Sequence, residues 1–188
     1  MDESAEKSDR ELLALVAAAD QVAFEQLVLR HQGKVLNLIY RFTWSRQDAE
    51  DLAQEVFFKV WRHARTFKGQ SAFSTWLYRL AVNTCLNHRQ RKKTRPDYLS
   101  LTGDLESRTE TAAEGLEAQQ RENILKQALS ALPVRQKMAL ILAGFEGKSY
   151  EEIAIAMEVS VPAVESLLFR ARKNLAEILR PLKNKGDL

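Results

Sequence analysis

Residues 148–175 read "KSYEEIAIAMEVSVPAVESLLFRARKNL" and contain the most informative local pattern of the chain. Ser149 followed three residues later by Glu152 has the spacing of a capping box, which marks the start of a helix. The short turn "EVS" then leads to a second helix, for which Ser160 can act as the N-cap. Two helices joined by so short a turn form a helix-turn-helix, a motif that often reads duplex DNA.

The second helix of this motif has two chemically different faces when its residues are placed at 100° intervals. The expected core stripe consists of Val164, Leu167, Leu168, Ala171 and Leu175. The opposite face carries Ser166, Phe169, Arg170 and Lys173, with Glu165 and Arg172 at its edge. In a major groove, an exposed phenyl ring can touch a thymine methyl while arginine binds guanine or phosphate. A plain helical hairpin, or a helix used for protein contact, remains the alternative.

The rest of the chain also has helical periodicity, with only 7 Gly and 4 Pro in 188 residues. We predict helices at 9–19, 21–43, 46–65 and 71–94, and again at 116–131, 134–145, 149–157 and 161–180. Asp20 and Ser45 are expected N-caps, and Pro133 is expected in the first turn of its helix. The fold class is therefore all-α, with two small helical domains at 9–95 and 116–182. A flexible acidic linker is predicted at 96–115, where Pro, Gly, Ser, Thr and acids replace the apolar pattern.

Charge is distributed unevenly although the net charge is only +3. Residues 56–96 contain 10 basic and no acidic residues, whereas residues 97–122 contain 2 basic and 7 acidic residues. Residues 165–188 are basic again, with 6 basic and 3 acidic residues. Two basic zones separated by an acidic segment suggest a polyanionic partner that is contacted at two places. Solvated helix faces are the simpler alternative.

Several function classes are disfavoured by composition. Cys85 is the only cysteine, which excludes an internal disulfide and a cysteine zinc site, and the three histidines lack metal-ligand spacing. We expect no metal, no cofactor and no catalytic cluster, hence no enzyme. The acidic N-terminus lacks the apolar region of a secretory signal, and no apolar run is long enough to span a membrane. A cytoplasmic protein without membrane insertion of its own is therefore expected.

A second motif, "DAEDLAQEVFFKVW" at residues 48–61, also has two faces. Its expected core face consists of Leu52, Ala53, Val56, Phe57 and Val60. The other side carries Asp51, Gln54, Glu55 and Phe58. The helix dipole explains acids in the first turn, but not a polar face that continues to an exposed phenyl ring. Such a face suits docking on a basic partner helix.

The third motif, "FKGQSAFSTWLYRLAVNTCLNHRQRKK" at residues 67–93, combines rings and cations without any acid. Its expected core stripe is Phe73, Leu77, Leu80, Ala81 and Thr84. Trp76, Arg79 and Asn83 lie on another face of the same helix, behind the loop that starts at Phe67. Rings that stack on bases, cations for phosphates and amides for base edges are the needs of single-stranded DNA binding. Packing of Trp76 between helices is the alternative.

These motifs together resemble the extracytoplasmic-function (ECF) group of bacterial RNA polymerase sigma factors, in the sigma-70 family. The resemblance covers about residues 9–182, with "LPVRQKMALILAGFEGKSYEEIA" and "VESLLFRARKNL" following the two N-terminal motifs in the family's order. It implies a sigma region 2-like domain at 9–95 and a region 4-like domain at 116–182. It also implies binding to core RNA polymerase, promoter recognition and help in opening the duplex, without a catalytic residue in the chain.

The resemblance also assigns expected site residues. Docking on the clamp helices of the largest polymerase subunit falls to Asp51, Gln54, Glu55 and Phe58. Capture of the minus-ten element falls to Phe67, Lys68, Ser71, Ala72, Phe73, Trp76, Arg79, Asn83, Arg89, Arg91, Lys92 and Lys93. Reading of the minus-thirty-five element falls to Glu165, Ser166, Phe169, Arg170, Arg172 and Lys173. Glu165 departs from the family, which often has a basic residue there.

The resemblance further implies that an anti-sigma factor holds the chain inactive. The main alternative is a stand-alone helix-turn-helix transcription regulator, which would not need the faces around Gln54 and Trp76. An enzyme acting on nucleic acid would need a carboxylate or histidine cluster that the sequence does not offer. A pure protein-interaction module fits the charge distribution less well.

Overall fold

The computed structural model describes residues 7–94 and 112–184, and every regular element in these ranges is a helix. The elements are α1 (Asp9–Ala17), α2 (Gln21–Thr43), α3 (Arg46–His63), a short 3-10 turn (Ala64–Thr66), α4 (Phe73–Thr94), α5 (Ala112–Ser130), α6 (Val134–Gly144), α7 (Tyr150–Met157) and α8 (Val161–Asn184). The all-α prediction is confirmed. The chain divides into two compact units, one built mainly from residues up to 87 and the other mainly from later ones.

Helix starts in the first unit follow local chemistry. Asp20 accepts the backbone N–H of Ala23 at 3.0 Å, and Ser45 accepts that of Asp48 at 3.2 Å. Each bond satisfies a donor that the first turn leaves without a helical partner. Both caps were predicted, and α2 begins and ends where the sequence placed it. An additional capping box at the start of α1 joins Ser8 to Glu11.

The core of the first unit is formed by apolar stripes of its helices. α2 packs against both α1 and α3. The predicted core face of α3 is buried throughout: Leu52, Ala53, Val56, Phe57 and Val60. α4 joins this core through a ring contact between Phe73 and His31 of α2, with centroids 5.1 Å apart. This packing fixes which side of α3 remains available to a partner.

In the second unit, α8 packs against α6 and α5. The amide of Asn174 on α8 donates to the Gln136 side-chain oxygen on α6 at 2.8 Å, which joins the two helices by a polar contact. Pro133 is the N-cap of α6 rather than its first helical residue, so its carbonyl accepts from Lys137 at 2.9 Å. α5 begins at Ala112, four residues before the predicted start at 116. Residues 96–111 of the predicted linker lie outside the described residues.

Candidate docking and nucleic-acid interfaces

The outward side of α3 displays most of the predicted docking residues. Asp51 and Gln54 are exposed, and the Phe58 side chain is 64% exposed. Burying a phenyl ring yields roughly 1.5–3 kcal/mol, so a ring left in water marks a surface that a partner can cover. We call Asp51, Gln54, Glu55 and Phe58 the α3 face. Its exposed members combine acid, amide and ring on one side of a rigid helix.

Glu55 differs from the rest of the α3 face because it is half-buried and already bonded. Its Oε1 lies 2.7 Å from the Nζ of Lys59, one helical turn further on. The same Nζ donates to the Thr84 hydroxyl on α4 at 2.8 Å, and this hydroxyl donates to the Leu80 carbonyl. This connection was not predicted from the sequence, because the periodicity within each helix does not show that residue 84 contacts residue 59.

The rings at the start of α4 pack on one another. Trp76 lies 5.1 Å from Phe67 and 6.0 Å from Phe73, measured between centroids. Only 7% of Trp76 is exposed. The predicted core position of Phe73 is confirmed, whereas placing Trp76 outside the core was wrong, since neighbouring rings cover it. The role of Trp76 in base capture stays a prediction, and in this conformation its ring is not presented to solvent.

The polar and charged residues predicted to hold the minus-ten strand are more accessible than the rings. Ser71, Arg79 and Asn83 are half-buried, as is Phe67. The exposed members are Lys68, Ala72, Arg89, Arg91 and Lys92. The Lys93 side chain lies outside the described residues. α4 therefore carries its cations on the outside, mostly toward its C-terminal end.

The loop before α4 is supported by α1, which the sequence did not connect to it. Gly69 has a φ of +67°, a conformation that side chains disfavour. The Arg10 guanidinium nitrogen Nη2 of α1 lies 3.4 Å from the place a Cβ on Gly69 would take. Arg65 just ahead of the loop donates to the Ala17 carbonyl at 2.9 Å. Arg10 thus brings another cation to the loop predicted to capture bases.

A partly buried polar cluster of Asp9, Arg30 and His31 reaches the start of α4. Asp9 of α1 accepts from Arg30 at 2.7 Å and lies 2.8 Å from the His31 Nε2. His31 in turn contacts the ring of Phe73 edge to face. The carboxylate therefore fixes the imidazole that supports the first residue of α4.

The helix-turn-helix forms as predicted, with α7 and α8 separated by residues 158–160. Ser149 and Glu152 form the expected capping box: the Ser149 N–H donates to Glu152 at 2.9 Å, and the Glu152 N–H donates to the Ser149 hydroxyl at 3.2 Å. The backbone bond from Ser149, followed by the bond from Lys148, lowers the pKa of Glu152 below its ordinary value of 4.5. The cap is thus fixed by a carboxylate that stays ionised.

The outward side of α8 is accessible. Phe169 is 70% exposed, whereas Val164, Leu168 and Ala171 are buried as the stripe predicted. We call the exposed set the α8 face: Glu165, Ser166, Phe169, Arg170, Arg172 and Lys173. The Arg170 Nη2 donates to the Ser166 hydroxyl at 2.8 Å, and its Nε donates to the Ser166 carbonyl at 3.2 Å. These bonds hold the guanidinium along the helix, beside the exposed ring.

The described residues offer neither a metal-binding cluster nor a membrane-spanning helix. Within residues 7–94 and 112–184, no group of three or more acidic, histidine or cysteine side chains could hold a metal ion. None of the helices in the described part of the chain is long and apolar enough to cross a membrane.

Comparisons with known proteins match both units. The family model for sigma-70 region 2 matches residues 27–95, and that for sigma-70 region 4 matches residues 122–175. The RNA polymerase sigma-H factor of Pseudomonas aeruginosa is 39% identical over 186 residues, covering 94% of this chain and 96% of that protein. The ECF RNA polymerase sigma-E factor of Escherichia coli K12 is 36% identical over 188 residues, covering 95% and 98%.

Two solved structures share this fold over most of the chain. CnrH, solved in complex with the cytosolic domain of CnrY, has a TM-score of 0.68 at 26% identity, covering 93% of this chain and 99% of that one. The sigma factor RpoE of Bartonella quintana, solved with the anti-sigma factor NepR, has a TM-score of 0.63 at 27% identity, covering 84% and 96%. The similarity therefore extends across both units, in sequence and in backbone structure.

Proposed function

This chain belongs to the ECF group of the sigma-70 family of bacterial RNA polymerase sigma factors, and we propose how its surfaces divide the work of initiation. As a sigma factor it binds core RNA polymerase and directs it to specific promoters. The observation that supports separate binding surfaces for polymerase and DNA is the presence of distinct accessible faces of different chemistry. The α3 face combines acid and ring, α4 is basic, and the α8 face combines ring and cations.

The α3 face docks on a basic helical surface of the polymerase clamp. Asp51 and Gln54 supply acceptors and an amide, and Phe58 supplies the apolar anchor that a stable interface needs at its centre. The acidic side chains of this face repel phosphates, so the face is unsuited to nucleic acid, in contrast to the acid-free segment that follows it in the sequence. Substitution of Phe58 by alanine should therefore weaken binding to core polymerase while leaving binding to promoter DNA fragments unchanged.

α4 and its preceding loop hold the opened minus-ten element. Opening a duplex costs about 1.4 kcal/mol per base-pair step, and stacking one base on a ring returns roughly 1–3 kcal/mol. A few captured bases can thus offset several steps while Lys68 and the cations from Arg89 onward bind phosphates. Arg10, which reaches the Gly69 loop from α1, joins this phosphate-binding set.

The α8 face reads the minus-thirty-five element in the duplex. Phe169 and Arg170 are adjacent in sequence. The bonds to Ser166 keep the guanidinium extended along the helix before DNA binds. A preset arginine loses less conformational entropy on binding. Glu165 can accept from a cytosine amine at the edge of the same contact.

The chain acts without catalysis of its own, in the cytoplasm, because the polymerase performs the chemistry of transcription. An anti-sigma factor holds it inactive, as NepR accompanies the Bartonella quintana relative. The CnrH structure, in which a cytosolic domain is bound to the relative, supports the same kind of partner. A stand-alone helix-turn-helix regulator remains the competing function.

Run-off transcription tests the proposal against that alternative. Core polymerase, core polymerase with this chain, and the chain alone are each combined with a pool of promoter fragments. We expect specific transcripts only when both proteins are present, with permanganate reactivity at the melted minus-ten strand. A tight footprint by the chain alone, together with no gain in transcription by core polymerase, would favour the regulator instead.

A further inference from the structure

The α3 face is tied to α4 by one lysine that bonds to both. Lys59 Nζ lies 2.7 Å from the Glu55 carboxylate and 2.8 Å from the Thr84 hydroxyl. Its side chain is only partly exposed, so both bonds are shielded from full solvent competition. An ammonium group has three donors and no acceptor, and here two of them are directed at partners on two helices.

Thr84 links the orientation of Lys59 to the backbone of α4. It is 1% exposed, so it cannot itself touch a partner protein. Its hydroxyl donates to the Leu80 carbonyl at 2.8 Å, which leaves the oxygen lone pairs to accept from Lys59. The hydroxyl is therefore oriented by the α4 backbone, and the lysine is oriented by the hydroxyl. A change in the position of α4 is transmitted to Lys59.

An ordinary surface pair between residues four apart on a helix contributes little, because both side chains keep their freedom. The pair of Glu55 and Lys59 differs because its cation is anchored to a buried group on another helix. A charge-assisted bond of this kind restricts the carboxylate to one position. The Glu55 side chain is thereby held through Oε1 while it keeps part of its surface in solvent.

We propose that Lys59 and Thr84 are positioning residues for polymerase docking: they hold Glu55 in place on the α3 face and make this placement depend on α4. The inference rests on the docking role proposed above for the α3 face. It means that a buried hydroxyl on the DNA-binding helix affects affinity for polymerase although it touches no polymerase atom.

The test compares variants of the full chain by their dissociation constant for core polymerase. Thr84→Val keeps the side-chain shape and removes the hydroxyl, and we expect affinity to fall about two- to tenfold, the range that corresponds to one hydrogen bond. Lys59→Met should cause a similar loss. Adding Thr84→Val to Lys59→Met should cause no further loss, because the lysine through which Thr84 acts is gone. Lys59→Arg, which keeps a cation, should recover part of the affinity.

Controls separate this inference from the docking role itself. Thr66→Val removes a hydroxyl that donates to the His63 carbonyl at 2.9 Å, and it should leave the affinity unchanged. Asp51→Ala tests the α3 face independently of Lys59. If Asp51→Ala has no effect, the docking role fails. If Asp51→Ala weakens binding while Lys59→Met and Thr84→Val do not, the docking role stands and the positioning role of Lys59 and Thr84 is overturned.

Folding is monitored by thermal unfolding of each variant. Lys59 is partly exposed, so Lys59→Met keeps the test decisive even where Thr84→Val reduces the folded population. Additive losses in the double variant would also overturn the proposal, since they would mean that the two residues act separately.

Discussion

The two helices assigned to DNA use their aromatic rings in opposite ways. On α4, Trp76 is 7% exposed and lies against Phe67 and Phe73. On α8, Phe169 is 70% exposed and lies one residue from Arg170. Both helices combine rings with cations in sequence, yet one keeps its rings in a cluster and the other displays its ring in water.

The difference corresponds to what each helix is proposed to bind. A duplex presents base edges and methyl groups in its groove without rearrangement, so a displayed ring can meet them directly. A single strand presents base faces, which stack on rings. On α4 those ring faces are covered by one another, so stacking of a base on Trp76 requires that Phe67 or Phe73 first move. Minus-ten capture is therefore expected to include a local rearrangement that minus-thirty-five reading lacks.

The largest expected effect concerns the stability of the ring cluster. Trp76→Ala should lower the free energy of unfolding by about 3–5 kcal/mol, the usual cost of emptying a buried tryptophan site. Phe169→Ala is the matched control and should change it by less than about 0.5 kcal/mol, since its ring is in water. Urea unfolding of both variants measures this. Equal, small losses would show that Trp76 is not structural and would remove the contrast.

Arg170→Ala should weaken binding to minus-thirty-five duplex DNA by about 1–3 kcal/mol if the guanidinium contacts a base. Arg180→Ala, an exposed arginine further along α8, is the control and should have a smaller effect. Fluorescence anisotropy with several duplex sequences at two salt concentrations measures both. A loss that is uniform across sequences, with a reduced salt slope, would make Arg170 a phosphate contact and leave sequence reading to its neighbours.

Gly69→Ala should destabilise the chain by about 1–2 kcal/mol, because an L side chain at positive φ is strained. The added Cβ would lie 3.4 Å from the end of the Arg10 side chain, an ordinary contact, so backbone strain accounts for the loss. Gly33→Ala is a control of opposite sign: it lies within α2 with no atom within 4 Å of the new methyl, so it should stabilise by about 0.5–1 kcal/mol. Thermal unfolding distinguishes the two. If Gly69→Ala stabilised the chain as Gly33→Ala does, the loop before α4 would not require a positive φ at residue 69.

The smallest expected effect is a pH dependence at the cap of α7. Because the folded state lowers the pKa of Glu152, its contribution is complete above the ordinary value of 4.5 and is lost as the pH falls through the lower folded value. Glu152→Gln should therefore flatten the stability profile in that acid window. Ser149→Ala keeps the backbone N–H bond to Glu152, so it should retain the slope. Stability followed by circular dichroism as the pH is lowered below the ordinary pKa of 4.5 checks both variants.

The sequence predicted the helices well because their ends depend on local chemistry. Asp20, Ser45 and Ser149 were identified as caps from a few neighbouring residues, and each makes the expected bond. The core face of α3 was likewise predicted, because this helix buries one side and leaves the other in water. The same holds for α8, except that Leu167 and Leu175 of its predicted stripe are only half-buried. A helix with one buried side and one exposed side has a hydrophobic period of about 3.6 residues, which can be read from the sequence.

Prediction was weaker where a helix is buried on several sides or where partners are distant in sequence. α4 buries Trp76 and Tyr78 as well as most of its predicted stripe, of which Leu80 is only half-buried. A single-faced wheel therefore placed Trp76 wrongly. The bond from Lys59 to Thr84 joins residues 25 apart, and the approach of Arg10 to Gly69 joins residues from different elements. Such pairs are set by tertiary packing, on which local pattern carries no information. The residue pattern indicated binding of nucleic acid and of a protein partner, and the resemblance to a family then assigned the specific roles.

Cys85 gives this molecule a built-in reporter. It is the only cysteine of the chain, and its side chain is fully buried in α4, close to Thr84 in sequence. A thiol reagent can reach it only when that helix leaves its packing, so the labelling rate measures how often this happens. The unmodified protein therefore allows opening of α4 around Cys85 to be timed without any introduced probe.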